Sequence, residues 1–196
     1  MIKWTFMIFL LVSTATTVYA KDSSVSFSSA YTYLSKECKW AYSESELTEG
    51  QDNALACKGF GKYQIYIYFS AMDSWLSIRL RNKPDTLVLD SAIGGIDEKE
   101  GVVEWRLADG APFAVIVRSR EYSSPEEDRK LLKESLVVRG LDQYSEISGF
   151  VLAEKNTNAN EEAIKLADEG YKTYKARPGQ KKRALTNGGN AYVQKH

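Results

Sequence analysis

The stretch that decides the fold is residues 101–120, which read GVVEWRLADGAPFAVIVRSR. Apolar and charged residues alternate around Trp105, and a second alternating run follows the Asp109–Gly110 pair. Residues two apart share one face of a strand, and Asp-Gly supplies the positive backbone angles of a tight turn. These residues predict a central β-hairpin with Trp105 in the core. The side chains expected on its buried faces are Val103, Trp105 and Leu107 in the first strand and Phe113, Val115 and Val117 in the second.

Further strands are predicted on both sides of this hairpin. Residues 64–71 and 75–81 alternate well and predict a second hairpin, and a short strand is expected at 87–89. Residues 136–139 and 147–152 predict two more strands. Between them, Ser124 and Pro125 are typical of a helix start, and Leu131 and Leu132 are expected to hold that short helix on the body.

Residues 158–175 give the strongest helix pattern of the chain. Asn158 is expected to cap the helix start, and the apolar residues that follow recur at helical spacing. That stripe consists of Ala163, Ile164, Ala167, Tyr171 and Tyr174. Strands followed by one long helix predict an α+β fold: an antiparallel sheet of about six to eight strands with a C-terminal helix packed on one face.

The N-terminus has the pattern of a secretory signal peptide. Lys3 precedes an apolar run at residues 4–12, and residues 18–20 end in Ala20, typical of a cleavage site. The run is shorter than the roughly 20 residues that span a bilayer. We expect cleavage near Ala20, a mature chain that starts at Lys21 without a transmembrane anchor, and a periplasmic or secreted location.

Length and charge indicate one domain with a basic tail. The expected division is a signal peptide at 1–20, a flexible segment at 21–29, a globular domain at 30–176 and a flexible tail at 177–196. Without Lys3 and the bases from residue 172 onward, 18 basic residues face 26 acidic ones, a net charge near −8. Such a body is not expected to bind nucleic acid. The tail is expected to contact anionic surfaces weakly. The basic residues from residue 172 onward are Lys172, Lys175, Arg177, Lys181, Lys182, Arg183 and Lys195.

The two cysteines of the chain are Cys38 and Cys57. In an oxidising compartment, an even pair most often forms a disulfide. The alternative is a reactive thiol or a metal ligand. Because the single histidine is His196, at the end of the sequence, a metal site would lack suitable further ligands. The disulfide is the preferred interpretation.

One surface suits ligand contact. In the second predicted hairpin, Tyr66 and Tyr68 alternate outward from the core on one strand, and Arg79 and Arg81 do so on the next. Aromatic and arginine side chains are enriched at protein interfaces. The alternative is an ordinary half-exposed sheet face, because tyrosine is common in strands.

Known catalytic patterns are absent from the sequence. A nucleophilic triad needs a base, usually histidine, and residues 21–195 contain none. No nucleophile elbow, phosphate loop, dinucleotide fingerprint or calcium loop occurs. We therefore assign no catalytic, cofactor-binding or metal-binding residue and expect no cofactor. Carboxylates are plentiful enough to leave a hydrolase that works through them as an alternative.

Short motifs along the chain resemble those of a group of uncharacterised secreted bacterial proteins. They are Tyr31-x-x-Leu34, Cys38, Cys57-x-Gly59-Phe60, Glu104-Trp105-Arg106-Leu107, Asp109-Gly110-x-Pro112-Phe113 and Asn158-Ala159-Asn160. The resemblance covers about residues 31–174 and implies a compartment and a fold rather than an activity. Members of that group usually carry further cysteines towards the C-terminus, which this chain lacks.

These observations favour a non-enzymatic binding or inhibitor-type module. Its expected partner is a protein in the periplasm or outside the cell. The alternative is a carboxylate-dependent hydrolase of the cell envelope. A third interpretation is an envelope protein whose basic tail binds acidic surfaces.

Overall fold

The computed structural model describes residues 24–41, 54–69, 74–97, 100–123 and 130–177. These residues form two five-stranded antiparallel sheets and a long C-terminal helix. The predicted α+β class, with antiparallel strands and the helix packed on them, is confirmed. The signal peptide expected at 1–20 and all but the first residue of the basic tail lie outside the described residues, so both stay predictions.

In chain order the elements are β1 (Phe27–Tyr33), α1 (Leu34–Glu37), β2 (Cys38–Trp40), β3 (Ala54–Lys58), β4 (Tyr63–Phe69), β5 (Ser74–Leu80), β6 (Lys83–Gly94), β7 (Val102–Ala108), β8 (Ala111–Tyr122), β9 (Leu131–Gly140), a 3-10 turn (Asp142–Tyr144), β10 (Ser148–Leu152) and α2 (Ala159–Ala176). Sheet A has the strand order β1-β7-β8-β9-β10, and sheet B has the order β2-β3-β4-β5-β6. The strands are therefore divided between two sheets rather than joined in one sheet of six to eight.

The layers follow the order sheet B, sheet A, α2. One core cluster lies between the sheets and includes Ile67 and Ile78 of sheet B with Trp105 and Val115 of sheet A. A second cluster joins the other face of sheet A to α2. Because sheet A lies in the middle, β7 is buried at every position from Val103 to Ala108.

The central hairpin is confirmed, with one correction. Asp109 has φ 50° and Gly110 has φ 79°, as a type I′ turn requires. Arg106 pairs with Ala114, but Leu107 pairs with Pro112, so Phe113 is an extra residue in β8. This β-bulge turns Phe113 into the cluster under α2, away from the cluster that holds Val115 and Val117. The prediction that these three share one face is wrong.

The helix α2 is confirmed, and its predicted stripe faces sheet A. Ala163, Ala167, Tyr171 and Tyr174 are buried, and the helix contacts β7, β8, β9 and β10. The predicted side-chain cap is wrong, because the Asn158 side chain makes no capping hydrogen bond. None of the helices in the described part of the chain has the length and apolar character of a membrane span.

Two further boundaries differ from the prediction. The strand β1 begins at Phe27, so the flexible segment expected at 21–29 does not reach residue 29. The chain just before β1 is held in place by Ser26, whose backbone N–H donates a hydrogen bond to Asp109 Oδ1 at 2.9 Å. Leu131 and Leu132 are exposed residues of β9 instead of helix anchors. The start of that predicted helix, residues 124–129, lies outside the described residues.

The predicted disulfide between Cys38 and Cys57 is confirmed. The two residues face each other directly in the β2–β3 pair. Cys57 lies in the core between the sheets, with 1% of its surface exposed. The disulfide therefore fixes the edge strand β2 to the rest of sheet B.

Candidate binding face on sheet B

The β4–β5 hairpin places aromatic and basic side chains on the outer face of sheet B. Ile65, Ile67, Leu76 and Ile78 are fully buried towards sheet A. Since side chains alternate along a strand, the residues between them point outward. We call the group of four outward residues Tyr66, Tyr68, Trp75 and Arg79 the aromatic–basic face.

The three rings of this face form a continuous row. Tyr68 lies directly opposite Trp75 in the register, with ring centroids 5.9 Å apart and an interplanar angle of 16°. Tyr66 and Tyr68, two residues apart on β4, have centroids 6.4 Å apart at 24°. All three side chains are half-buried. The row is thus a pre-formed apolar ridge with limited rotamer freedom.

Arg79 packs against this ridge. Its guanidinium carbon lies 5.4 Å from the Tyr66 centroid and 5.9 Å from the Tyr68 centroid, within the range of cation–π attraction. Arg79 Nη1 also donates to the carbonyl oxygen of Pro84 on β6, at 3.3 Å. These contacts fix the guanidinium beside the rings.

Two buried polar atoms of this region lack a hydrogen-bond partner. Arg79 Nε and Ser77 Oγ are buried and have no hydrogen-bond partner in the structure. Ser77 lies opposite Tyr66 and is 1% exposed. A buried polar group without a partner costs about 1–3 kcal/mol. A rearrangement of the face that gave these atoms acceptors would recover that free energy.

The structure separates the four residues predicted to form this surface. Tyr66, Tyr68 and Arg79 come together, but Arg81 does not join them. Arg81 lies in the turn after β5, where its Nη2 donates to the carbonyl oxygens of Gly59 and Tyr63, both at 3.4 Å. The alternation that suggested its position ends with the strand, at Leu80.

Sequence reasoning missed Trp75 as a member of the face. The sequence does contain the pattern that predicts its position, because Trp75 and Arg79 are four residues apart on β5 and so share one face of the strand. In the β4–β5 register, Trp75 also lies opposite Tyr68. Combining the phase with the hairpin register would have found it.

The charge around the aromatic–basic face is basic. Three cross-strand rows define the outer side of sheet B, and none of their residues is acidic. They are Lys39, Ala56, Tyr66 and Ser77; Lys58, Gln64, Arg79 and Leu87; and Ala54, Tyr68, Trp75 and Gly94. The neighbouring edge strand β6 contains two acidic residues, the exposed Asp85 and also Asp90, which lies between the partners of Leu76 and Ile78. The residues paired in these three rows therefore include three basic side chains, Lys39, Lys58 and Arg79, and no acidic one.

Comparisons with family models, curated proteins and solved structures found no match for this chain.

Several carboxylates among the described residues are held by arginine side chains. Glu134 is the most engaged of them: Arg120 Nε donates to its Oε1 at 2.9 Å, and Arg118 Nη1 lies 2.9 Å from its Oε2. The hydrogen bond from Arg120, with the charge of Arg118, lowers the pKa of Glu134. A carboxyl group with a lowered pKa is ionised at neutral pH and is a poor general acid. Among the described residues, no group of three or more His, Cys, Asp or Glu side chains is placed to hold a metal ion.

Proposed function

We propose that this protein is a non-enzymatic binding module, exported to the periplasm or the cell exterior, that binds a protein partner through the aromatic–basic face. The observation that carries the proposal is the row of Tyr66, Tyr68 and Trp75 with Arg79 packed on it. Tyrosine, tryptophan and arginine are the residue types that dominate binding hot spots. Rings that are already ordered lose little side-chain entropy when a partner covers them.

The partner is expected to present an acidic patch. Lys39 and Lys58 flank the aromatic–basic face in the same cross-strand rows as Tyr66 and Arg79. Complementary charge across an interface speeds association and excludes wrong partners, and salt weakens both effects. The association rate should therefore fall as salt concentration rises.

Export is supported by two independent features. The Cys38–Cys57 disulfide is typical of proteins that work in an oxidising compartment. The N-terminal sequence, with Lys3 before an apolar run that ends near Ala20, is typical of a signal peptide. N-terminal sequencing of the protein recovered from the cell exterior or periplasm should therefore start at Lys21, and a chain that still starts at Met1 would contradict export with cleavage.

Site-specific photo-crosslinking in the producing cell tests the binding proposal. Leu87 lies in the same row as Arg79 and is 45% exposed, so a photo-reactive benzoylphenylalanine there replaces no residue of the aromatic–basic face. Phe150 on sheet A, 58% exposed, is the matched control position. We expect one defined adduct from position 87, absent from position 150 and lost when Arg79→Glu is added.

Two outcomes would overturn the proposal. One is an adduct pattern that is equal at positions 87 and 150, or that survives Arg79→Glu in a folded protein. The other is turnover of glycans or esters by the purified protein that is lost on a single Asp or Glu substitution, which would establish the carboxylate-dependent hydrolase instead.

A further inference from the structure

A cavity of about 280 Å³ lies on the opposite side of the molecule from the aromatic–basic face. It occupies the part of sheet A that α2 leaves uncovered, beyond the helix start at Ala159. Asn160 of α2 lines one edge, and Asp97, Glu100 and Gly101 line another. Ile116 and Leu136, both nearly fully buried, contribute apolar lining. The cavity therefore combines an apolar surface with polar walls, as small-molecule sites do.

The most unusual residue in this cavity is Glu104. It lines the cavity, yet only 4% of its surface is exposed. Its Oε1 accepts a hydrogen bond from Ser29 Oγ at 2.5 Å. Among the described residues, its carboxylate makes no other hydrogen bond and no ion pair. A buried carboxylate with a single neutral donor is costly, because burial removes its hydration without supplying an opposite charge.

The arginine that shares Ser29 with Glu104 is paired with a different carboxylate. Arg106, two residues along β7, is 5% exposed and makes a bidentate pair with Asp168 of α2, with Nη2 at 2.8 and 2.7 Å from the two carboxylate oxygens. Its Nη1 donates to Ser29 Oγ at 2.6 Å. Ser29 therefore links Glu104 to the pair without neutralising it, and the network holds the Glu104 carboxylate in place.

The remaining charges around the cavity do not neutralise Glu104 either. Arg120 lies 2.8 Å from Asp97, 2.9 Å from Glu134 and 3.5 Å from Glu100. Arg118 shares Glu134 with it. Among the described residues that line the cavity, the two guanidinium groups of Arg118 and Arg120 face three carboxylates, with Glu104 included. The cavity has an excess of negative charge, and a ligand that enters it should carry a cation.

We propose that this cavity binds a small organic ammonium ion, with its charged nitrogen on the Glu104 carboxylate and its apolar part on Ile116 and Leu136. The Tyr31 side chain lies opposite Glu104 in the β1–β7 register and also lines the cavity. An aromatic ring beside a carboxylate favours ammonium groups, because the ring face attracts cations. The apolar lining and the absence of a metal-type cluster among the described residues favour an organic ion over a metal. This site is independent of the aromatic–basic face.

Titration of the ¹⁵N-labelled full chain with L-leucinamide tests the proposal by nuclear magnetic resonance. Near pH 6.5 the amino group of this probe is protonated, since α-amino groups have pKa values of about 7.7–8.0. The neutral control is 4-methylpentanamide, which has the same skeleton without the amino group. We expect saturable shifts of amide signals around Tyr31, Glu104 and Ile116 with leucinamide and much smaller ones with the control. Equal responses to the two probes, or no saturable shift at these positions, would overturn the proposal.

Substitutions test whether the Glu104 carboxylate is the group that binds the ammonium ion. Glu104→Gln keeps an acceptor for Ser29 and removes the charge, and should weaken leucinamide binding at least tenfold. Glu121→Gln is the control: it removes an exposed carboxylate of β8 that does not line the cavity, and it should leave leucinamide binding unchanged. Tyr31→Ala, at a side chain that is 50% exposed and so safe for folding, should weaken binding several-fold. If folded Glu104→Gln binds leucinamide as well as the wild type, or if Tyr31→Ala has no effect, the site is not the one proposed.

Discussion

Trp105 lies in the core between the two sheets. It is fully buried, its ring stacks on Tyr63 with centroids 5.8 Å apart, and its Nε1–H donates to Thr32 Oγ1 at 3.0 Å. It thus contributes apolar burial, ring stacking and one satisfied buried polar group at a single position. Its place in the core was predicted from the alternation of β7 alone.

Trp105→Ala should therefore destabilise the protein by about 3–5 kcal/mol, as truncation of a buried aromatic residue does. Urea unfolding followed by circular dichroism measures the change. Trp40→Ala is the matched control, because Trp40 is 62% exposed and should cost less than about 1 kcal/mol. Similar losses for the two variants would contradict the assignment of Trp105 to the core.

Tyr171 gives the protein a pH-dependent stability at the alkaline end. Burial, with a smaller contribution from Tyr144, raises its pKa from 10.0 to about 12. Above pH 10 the unfolded chain releases this proton and the folded chain retains it, so the unfolded state is favoured. The stabilising effect is complete below pH 10 and is lost as the pH rises towards 12.

In Tyr171→Phe, the fall in the free energy of unfolding between pH 10 and 12 should be shallower than in the wild type. Urea unfolding at a series of pH values checks this, with Tyr33→Phe on the exposed side of β1 as control. An identical pH dependence in Tyr171→Phe and the wild type would show that Tyr171 does not hold its proton more tightly in the folded state.

Among the elements, α2 is held on sheet A by apolar contacts and by one buried ion pair. Asp168 is 17% exposed at its side chain and pairs with Arg106, whose side chain is 6% exposed. Removing one partner of a buried pair leaves an uncompensated charge, which costs about 3–5 kcal/mol. Asp168→Ala should lose that much stability in chemical unfolding.

The adjacent Glu169 supplies the control for this prediction. Glu169 is 61% exposed and lies 3.9 Å from Lys165 on the surface of α2. Glu169→Ala should change the free energy of unfolding by no more than about 0.5 kcal/mol. If both substitutions proved equally mild, the pair would not be what holds α2 on the sheet.

The β2–β3 pair depends on its disulfide. Because the bond closes a loop between positions 19 residues apart, its removal should cost about 3 kcal/mol. The double variant Cys38→Ser with Cys57→Ser should show this loss in thermal or urea unfolding. The prediction would be contradicted if the wild type were equally stable with and without reductant, provided that the disulfide is shown to be reduced.

At this scale, the sequence predicted which residues form strands and the helix, but not their irregularities. The β-bulge at Phe113 depends on how the β7–β8 register meets the Asp109–Gly110 turn, and a pattern of apolar residues does not encode that register. Arg81 is a similar case. Alternation predicts a face only as long as the strand lasts, and β5 ends one residue before Arg81.

For the molecule as a whole, the α+β class was predictable and the division into two sheets was not. Alternating strands look the same whichever sheet they join, and the change from β1 to β2 across α1 is decided by long-range pairing. The layering also explains Glu104 and Arg106. Their alternation with apolar residues suggests a solvated face, but α2 covers Arg106 and leaves Glu104 at the edge of a cavity.

Whether the aromatic–basic face binds a protein is decided by the affinity for the partner identified by crosslinking at position 87. Trp75→Ala should raise the dissociation constant at least about 30-fold, since a hot-spot residue contributes 2 kcal/mol or more. Phe150→Ala, at an exposed aromatic residue of sheet A, should change it less than about twofold. If Trp75→Ala and Arg79→Ala fold normally and bind the partner with wild-type affinity, the aromatic–basic face is not the binding site.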